Sequence, residues 1–165
     1  MAHLDKTEIS KITFSSKDKI KGLSLPEKVS RELAYLCGVF MGDGSIYNRI
    51  SKKEHVLKCV GNPKDEQAFY FKIIGPYFRK VFGFLPSLRY YDSNTTFGFS
   101  VYSKALFDFL TKIIGLPSGK KYSLLKIPFI FKKDKLLVIN VLRGLFDTDG
   151  CITFKKNTRK HPTIL

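Results

Sequence analysis

The chain has 165 residues, 44% of them hydrophobic and 14% aromatic, which is enough apolar material for one or two buried cores and argues against intrinsic disorder. Its 29 Lys and Arg residues outnumber 14 Asp and Glu and give a formal net charge of +15, which favours nucleic acid over a membrane surface as the partner. Three widely spaced cysteines, no signal-peptide core and no long apolar run argue against a disulfide framework, secretion and membrane spanning, so we expect an intracellular protein, cytoplasmic or nucleoid-associated.

The first predicted elements are a polar arm and a helix. Residues 1–24 are rich in Lys and Ser, which predicts a basic N-terminal arm with at most a short ordered piece. From Pro26 the apolar residues recur every three or four positions, which predicts a helix that ends at Gly44. Two strands are expected at 45–50 and 55–60, and then a second helix that the pair Gly75-Pro76 should kink or divide.

A hairpin and two more helices follow. Strands are predicted at 87–92 and 97–102, around a turn at Ser93-Asn94, with alternating apolar residues in the second strand. Ser103 should cap a third helix through Ile114, and a fourth helix should run from about Asp134 to Asp149 after a linker at 126–133. We therefore interpret 25–125 as one α+β unit and 134–165 as the start of a second, truncated unit with room for one strand and its turn.

One pattern occurs twice in the chain. Gly38 is followed after four residues by Asp43-Gly44, and Gly144 by Asp149-Gly150. Small residues also recur every four positions in both helices, and such strips let two helix backbones approach more closely than usual. If the strips face each other, the two carboxylates lie side by side.

That arrangement has an electrostatic consequence. Two carboxylates at helix C-termini repel each other and the partial negative charge of the helix ends. A divalent cation relieves the repulsion, and Mg²⁺ typically uses one or two carboxylates together with phosphate and water, while Mn²⁺ or Ca²⁺ are alternative occupants. The simpler interpretation is that each Asp-Gly only ends a helix and begins a turn.

The stretches LCGVFMGDG, from Leu36 to Gly44, and LRGLFDTDG, from Leu142 to Gly150, resemble the signature of the LAGLIDADG homing endonucleases, in particular the two-motif, archaeal intron-encoded type. The element order and the segment GLPSGKK strengthen the resemblance, which covers nearly the whole chain. It implies an αββαββα unit whose four-stranded antiparallel sheet forms a saddle on duplex DNA, with the motif helices at a pseudo-twofold axis. It also implies site-specific, metal-dependent hydrolysis of phosphodiester bonds in both DNA strands at a long recognition site.

The resemblance assigns the catalytic residues. Asp43 and Asp149 would hold Mg²⁺, with Gly42 and Thr148 in the same metal site, so that the metal activates water and stabilises the leaving oxygen. Either Lys120 or Lys121 would lie near the scissile phosphate, or else serve as an ordinary phosphate anchor.

Two positions depart from or complete the family signature. Met41 stands where the signature has its earlier Asp, and the second motif keeps Asp147 there. We expect Met41 to be tolerated and Asp147 to be structural.

The resemblance also implies a DNA-binding surface on the outward side of the strands. The candidates for reading base edges are Arg49, Lys58, Arg89, Tyr91, Ser100 and Tyr102, although each is also compatible with a solvated side chain. The candidates for backbone contact are Lys52, Lys53, Lys155, Lys156 and Arg159, so binding should weaken steeply with salt.

Two questions of assembly and activity stay open at the level of sequence. Two complete units would make a pseudo-symmetric monomer, and a single unit needs a complementing half from another chain. The alternative function is a non-cutting nucleic-acid binder, either an RNA maturase that assists intron splicing, with intron RNA as its partner, or a DNA-binding regulator.

Overall fold

A computed structural model describes residues 3–121, 124–150, 154–156 and 162–164. Two short helices, α1 (Lys6–Ser10) and α2 (Ser16–Lys21), come first, capped by the side chains of Asp5 and Ser15. Leu4 and Leu23 are buried at 2% and 7% exposure and join the main core. The structure therefore differs from the predicted arm with at most a short ordered piece, because these leucines fasten the segment at both ends.

Helix α3 (Arg31–Met41) carries the first motif. The predicted start at Pro26 is wrong, since the Ser30 hydroxyl oxygen accepts the Leu33 N–H at 3.0 Å and caps the helix there. The helix gives way to strand at Gly42 to Gly44, as the pattern predicts. Every residue from Leu33 to Met41 is buried, so this helix lies in the centre of the fold.

The sheet has four antiparallel strands in the order β1-β2-β4-β3. They are β1 (Gly44–Arg49), β2 (Glu54–Gly61), β3 (Arg89–Tyr91) and β4 (Thr96–Tyr102), close to the predicted positions. The inner face is apolar and packs on the helices: Phe99 of β4 contacts Phe78, which in turn contacts Phe40 of α3. The fold is therefore α+β, with a sheet whose other face is turned away from the core.

The helix predicted to kink or divide at Gly75-Pro76 continues through that pair. It is built from α4 (Gln67–Phe69), a π-helical segment (Tyr70–Ile74) and α5 (Gly75–Phe82). The wider turn ends at Ile74, two residues before Pro76, which has no N–H to donate within the helix. The next helix follows the prediction: Ser103 caps α6 (Lys104–Asp108), a π-helical segment (Phe109–Ile114) continues it, and Gly115 with φ 88° ends it.

The linker predicted at 126–133 contains a short helix, α7 (Phe129–Lys132), whose Phe131 is fully buried. Helix α8 (Lys135–Asp149) matches the predicted range, is capped by the Asp134 side chain, which accepts the Leu136 N–H, and carries the second motif. Beyond it, β5 (Phe154–Lys156) and β6 (Pro162–Ile164) pair as a separate two-stranded antiparallel sheet, so the described residues of this segment form two short strands where we expected one strand and its turn. Among the described helices, none combines the length and the apolarity required to cross a lipid bilayer.

Candidate active site and nucleic-acid surface

The two motif helices meet through their glycines. A Cβ atom on Gly38 would overlap the carbonyl oxygen of Val141 and lie 2.8 Å from the Leu145 nitrogen. A Cβ atom on Gly144 would overlap the carbonyl oxygen of Tyr35 and lie 3.0 Å from the Val39 nitrogen. Each glycine therefore faces the other helix's backbone in the same way, so the contact between the two helices is approximately twofold symmetric.

This contact brings Asp43 and Asp149 together at the helix ends. A Cβ atom on Gly42 would lie 3.4 Å from the Asp149 carboxyl carbon, and the negative charge of Asp149 contributes to the raised pKa of Asp43. Asp43 is half-buried, whereas Asp149 is exposed. The carboxylates predicted to be neighbours are therefore adjacent in the fold.

The environment of Asp43 disfavours its ionised form. Burial, followed by the negative charges of Glu66 and Asp149, raises the pKa of Asp43 to about 6, although the Lys121 ammonium opposes the shift. Additional positive charge placed beside Asp43 would therefore stabilise its ionised form.

Glu66 is a further neighbour of this site, and no sequence pattern predicts it. Its Oε2 accepts the Asn62 N–H at 3.0 Å and lies where a Cβ on Gly61 would be, and Asp43 Oδ2 is 3.4 Å from that same point. The turn after β2 is visible in the sequence, but nothing in its spacing reveals that it folds back on the end of α3. Only the strand pairing makes this proximity apparent.

Lys121 lies beside the carboxylate pair, and Lys120 is exposed. The Gly119 N–H donates to the Ile46 carbonyl at 2.8 Å, which holds the GLPSGKK segment against β1 and delivers Lys121 to the site. The Lys121 ammonium donates to the carbonyl oxygens of Gly42 and Gly44, the latter at 2.8 Å. Burial lowers the pKa of Lys121, while nearby negative charges, first that of Asp149, oppose the shift.

The other two predicted metal-site residues lie on the helix seam. A Cβ on Gly42 would overlap the Thr148 hydroxyl, so these residues are in contact across the interface. The Thr148 hydroxyl donates within α8 to the carbonyl oxygens of Leu145, at 3.0 Å, and Gly144, at 3.2 Å. Because the Gly42 carbonyl accepts from Lys121, it has a protein partner already.

The donor set fits a hard divalent cation. Asp43 and Asp149 offer carboxylate oxygens, and such a cation would offset both the burial and the neighbouring negative charges that raise the pKa of Asp43. In the described part of the chain, no three His, Cys, Asp or Glu side chains form a complete metal cage. A cation here would therefore complete its shell with oxygens from water or phosphate, as Mg²⁺ does.

The sixth position of the motif, Met41 in α3 and Asp147 in α8, also differs between the helices. Met41 is buried at 4% exposure. Asp147 accepts a hydrogen bond from the Tyr35 hydroxyl at 2.8 Å, and Arg143 lies 3.6 Å from the same oxygen. Asp147 thus makes a structural contact between the helices, and the sequence analysis did not anticipate Tyr35 as its partner.

The outward face of the sheet carries all six residues predicted to read base edges. The register sets Lys58 opposite both Ser45 and Ser100. Because directly paired residues of adjacent strands share a face, the alternation along each strand then places the whole set on the side away from the core: Arg49, Lys58, Arg89, Tyr91, Ser100 and Tyr102.

Cations and aromatic rings alternate on this surface. The Arg89 guanidinium lies 4.9 Å from the Tyr91 ring centre and donates to its hydroxyl at 3.0 Å. Lys58 lies 5.1 Å from the same ring and 3.2 Å from the Asp92 carboxylate. Arg49 lies 5.5 Å from the Tyr47 ring centre. Flat rings beside fixed positive charges suit a polyanion that carries stacked bases.

The predicted backbone-contact residues lie at different places. Lys52 and Lys53 are exposed in the turn between β1 and β2, where Lys53 adopts a left-handed φ of 53°. Lys155 and Lys156 lie in β5, and Arg159 is outside the described residues.

Comparisons with known proteins add no relative. Neither the protein-family models nor the curated proteins contain a match to this chain. The LAGLIDADG resemblance therefore rests on the two motifs, the element order and the GLPSGKK segment of the sequence.

Proposed function

We propose that this protein is a metal-dependent DNA endonuclease of the LAGLIDADG type, which hydrolyses phosphodiester bonds in both strands at a long, specific site. The observation that carries the proposal is the convergence of Asp43 and Asp149, with Lys121 beside them, where the two motif helices end. The αββαββα order of the unit from α3 through the π-helical segment that ends at Ile114 supports the same family. The net charge of +15 supports a nucleic-acid partner.

The simpler interpretation, in which each Asp-Gly pair only ends a helix and begins a turn, does not explain why the two carboxylates lie together. A helix end followed by a turn requires neither a second carboxylate nearby nor close contact between two helices. Here the contact holds acidic groups together against their repulsion, and the pKa of Asp43 is raised to about 6 as a result of burial and neighbouring charge. A carboxyl group whose pKa is raised by burial and neighbouring negative charge is typical of functional sites.

The carboxylates and Lys121 have different roles in the proposed active site. Asp43 and Asp149 would hold Mg²⁺, which, when bound, lowers the pKa of coordinated water and stabilises charge on the leaving oxygen. Lys121 braces the chain where α3 passes into β1 through its bonds to Gly42 and Gly44, and so fixes the backbone on both sides of Asp43. Its ammonium also adds positive charge beside the carboxylate pair.

The outward sheet face supplies binding and orientation. The cationic groups of Arg49, Lys58 and Arg89 lie over tyrosine rings, and such contacts restrict the rotamers that these side chains would otherwise lose on binding. The turn residues Lys52 and Lys53 extend the basic surface beyond the strands, where phosphate contacts add affinity without sequence information.

A second unit on α8 completes the proposed DNA-binding saddle. Leu136, Ile139, Leu142 and Phe146 lie on the exposed side of α8 at 46% to 53% exposure. On α3 the matching side faces the core. A second unit, from further chain or from another chain, would cover the α8 side and contact the other half of the DNA site.

The experiment first finds a site and then tests cleavage. The Asp43→Asn variant with Ca²⁺ selects bound duplexes from a randomised pool, so that recovery does not depend on cutting. The wild-type protein is then incubated with the selected duplex in Mg²⁺ or in EDTA. We expect cleavage of both strands in Mg²⁺ only, and a loss of at least about a thousandfold in Asp43→Asn and Asp149→Asn with unchanged binding.

Asp147→Asn is the matched control, because it neutralises a carboxylate on the same helix outside the pair, and it should still cut. Cleavage that survives in Asp43→Asn would falsify the nuclease proposal. Tighter binding to structured intron RNA than to any selected duplex, without cleavage, would support the maturase alternative instead.

A further inference from the structure

One polar contact joins the motif helices outside the carboxylate pair. The Tyr35 hydroxyl of α3 donates to Asp147 Oδ2 of α8 at 2.8 Å. Tyr35 is only 2% exposed, its ring packs edge-on against Tyr77 at 5.3 Å, and the Arg143 guanidinium lies 5.8 Å from the ring centre. The phenol is therefore held in one orientation, and a buried hydroxyl that loses its partner is destabilising.

The contact has no polar counterpart on the other side of the helix pair. Gly38 faces the Val141 carbonyl just as Gly144 faces the Tyr35 carbonyl, so Val141 corresponds to Tyr35. Met41 corresponds to Asp147, because both hold the sixth position of their motif. The counterpart of the Tyr35–Asp147 bond is thus a pair of apolar residues, which are 0% and 4% exposed.

This difference distinguishes the helices as partners. Two α3 helices packed in the same geometry would set Tyr35 against Met41 twice and leave both hydroxyls without an acceptor. Two α8 helices would set Val141 against Asp147 twice. Only α3 with α8 satisfies the buried hydroxyl, and rejecting a wrong partner through an unsatisfied polar group is an effective source of specificity.

We propose that Tyr35 and Asp147 are a positioning pair, whose hydrogen bond fixes the rotation of α8 against α3 and so sets Asp149 beside Asp43. Asp149 lies two residues after Asp147 at the end of the same helix. A small rotation of α8 would therefore carry Asp149 away from its partner. The catalytic consequence rests on the proposed function, whereas the effect on helix pairing rests on the contact itself.

The test is a double-mutant cycle measured by chemical denaturation. Tyr35→Phe removes one oxygen, Asp147→Ala removes the acceptor, and the double variant removes both. We expect each single change to lower the folding equilibrium constant about tenfold and the double variant to be no worse than either. Asp147→Asn should restore most of the loss, because the amide oxygen still accepts from Tyr35.

A second readout separates positioning from plain stabilisation. The backbone amide NMR shifts of Asp43 and Asp149 should move in Tyr35→Phe and stay near wild type in Asp147→Asn. Tyr77→Phe is the matched control, since it removes a hydroxyl from the ring that packs against Tyr35, and it should leave these shifts in place. On a cleaved duplex, Tyr35→Phe should lower kcat about tenfold with KM unchanged.

Additive effects in the double variant, or unmoved amide shifts in Tyr35→Phe, overturn the positioning role. If the wild-type protein cuts no DNA, the proposed function fails by itself. The denaturation cycle and the amide shifts then still decide whether this hydrogen bond fixes the helix pair.

Discussion

Helices α3 and α8 carry the same nine-residue pattern and touch each other through equivalent glycines, but they differ greatly in burial. Phe40 of α3 is 2% exposed, whereas Phe146, at the same motif position in α8, is 53% exposed. Leu36 and Leu142 open the two motifs and are 0% and 48% exposed. The sheet and α5 cover α3 on the side away from α8, while the corresponding side of α8 is exposed.

The difference in burial shows that the glycines and the large apolar residues of the motif have different structural roles. The glycine strip sets how closely the helices approach, and it does so although only one of them is enclosed. The large apolar residues of the motif instead prepare each helix to receive a sheet, and their burial depends on whether a sheet is present. In the described residues, the two helices are in close contact at the carboxylate pair while the four-stranded sheet covers only α3.

The largest expected effect compares the two phenylalanines. Phe40→Ala should lower the free energy of unfolding by about 3–5 kcal/mol, because it leaves a cavity beside Phe78 in the core. Phe146→Ala should change it by less than about 1 kcal/mol, because the side chain is largely in solvent. Urea denaturation of both variants measures the difference.

Phe40→Leu and Phe146→Leu provide a milder pair in case Phe40→Ala fails to fold. If the two positions cost the same, α8 is covered in solution, for example by a second copy. Sedimentation of the wild-type protein would then reveal the associated form.

The comparison also shows what local sequence can and cannot predict. Strand positions, the cap at Ser103, the start of α8 near Asp134, and the approach of Gly38 to Gly144 follow from spacing and turn chemistry, which are local. The burial of Leu4 and Leu23 does not, because a single apolar residue at each end of a polar segment gives no periodic signal.

The next effect tests the glycine strip. Gly144→Ala and Gly38→Ala should each lower the free energy of unfolding by about 2–3 kcal/mol. The new methyl group would overlap the backbone of the opposite helix, so the two helices would have to shift apart. Alanine's better helix propensity offsets only part of this. Thermal and urea unfolding measure the loss.

Gly22→Ala is the control, because it replaces glycine by alanine at a position where the added methyl group meets no other atom. Its φ is 72° and no atom lies within 4 Å of the added methyl group, so only backbone strain of about 1 kcal/mol applies. Losses at Gly38 and Gly144 no greater than at Gly22 would mean that the helices separate easily, and that the carboxylate pair is not held by this contact.

At the site, the sequence identifies the carboxylates but not their surroundings. Asp43 and Asp149 share a motif, which a single chain reveals by repetition. Glu66 reaches Asp43 through the fold of the turn after β2, and the bonds from Lys121 to the end of α3 depend on a loop that docks on β1. Such proximities across many residues depend on tertiary packing, and no local pattern encodes them.

The smallest expected effect contrasts the two motif carboxylates. Without divalent cations at pH 7, Asp43→Asn should raise the free energy of unfolding by about 1 kcal/mol, after allowance for solvent screening, because it removes a charge that the fold disfavours. Asp149→Asn should raise it less, since Asp149 is exposed and contributes only one of the charges that act on Asp43. Urea denaturation in EDTA measures both.

The pH dependence identifies the cause of this gain. The pKa of Asp43 is about 6 in the folded protein against an ordinary value of 3.8, so the folded state binds the extra proton between these values. The contribution of Asp43 to stability therefore falls as pH rises from about 4 to 6, and the advantage of Asp43→Asn should vanish below pH 4 and be complete above pH 7. Mg²⁺ should stabilise the wild-type protein alone and remove the difference at pH 7. An advantage that is constant across this pH range would mean that amide packing, and not the carboxylate charge, stabilises the variant.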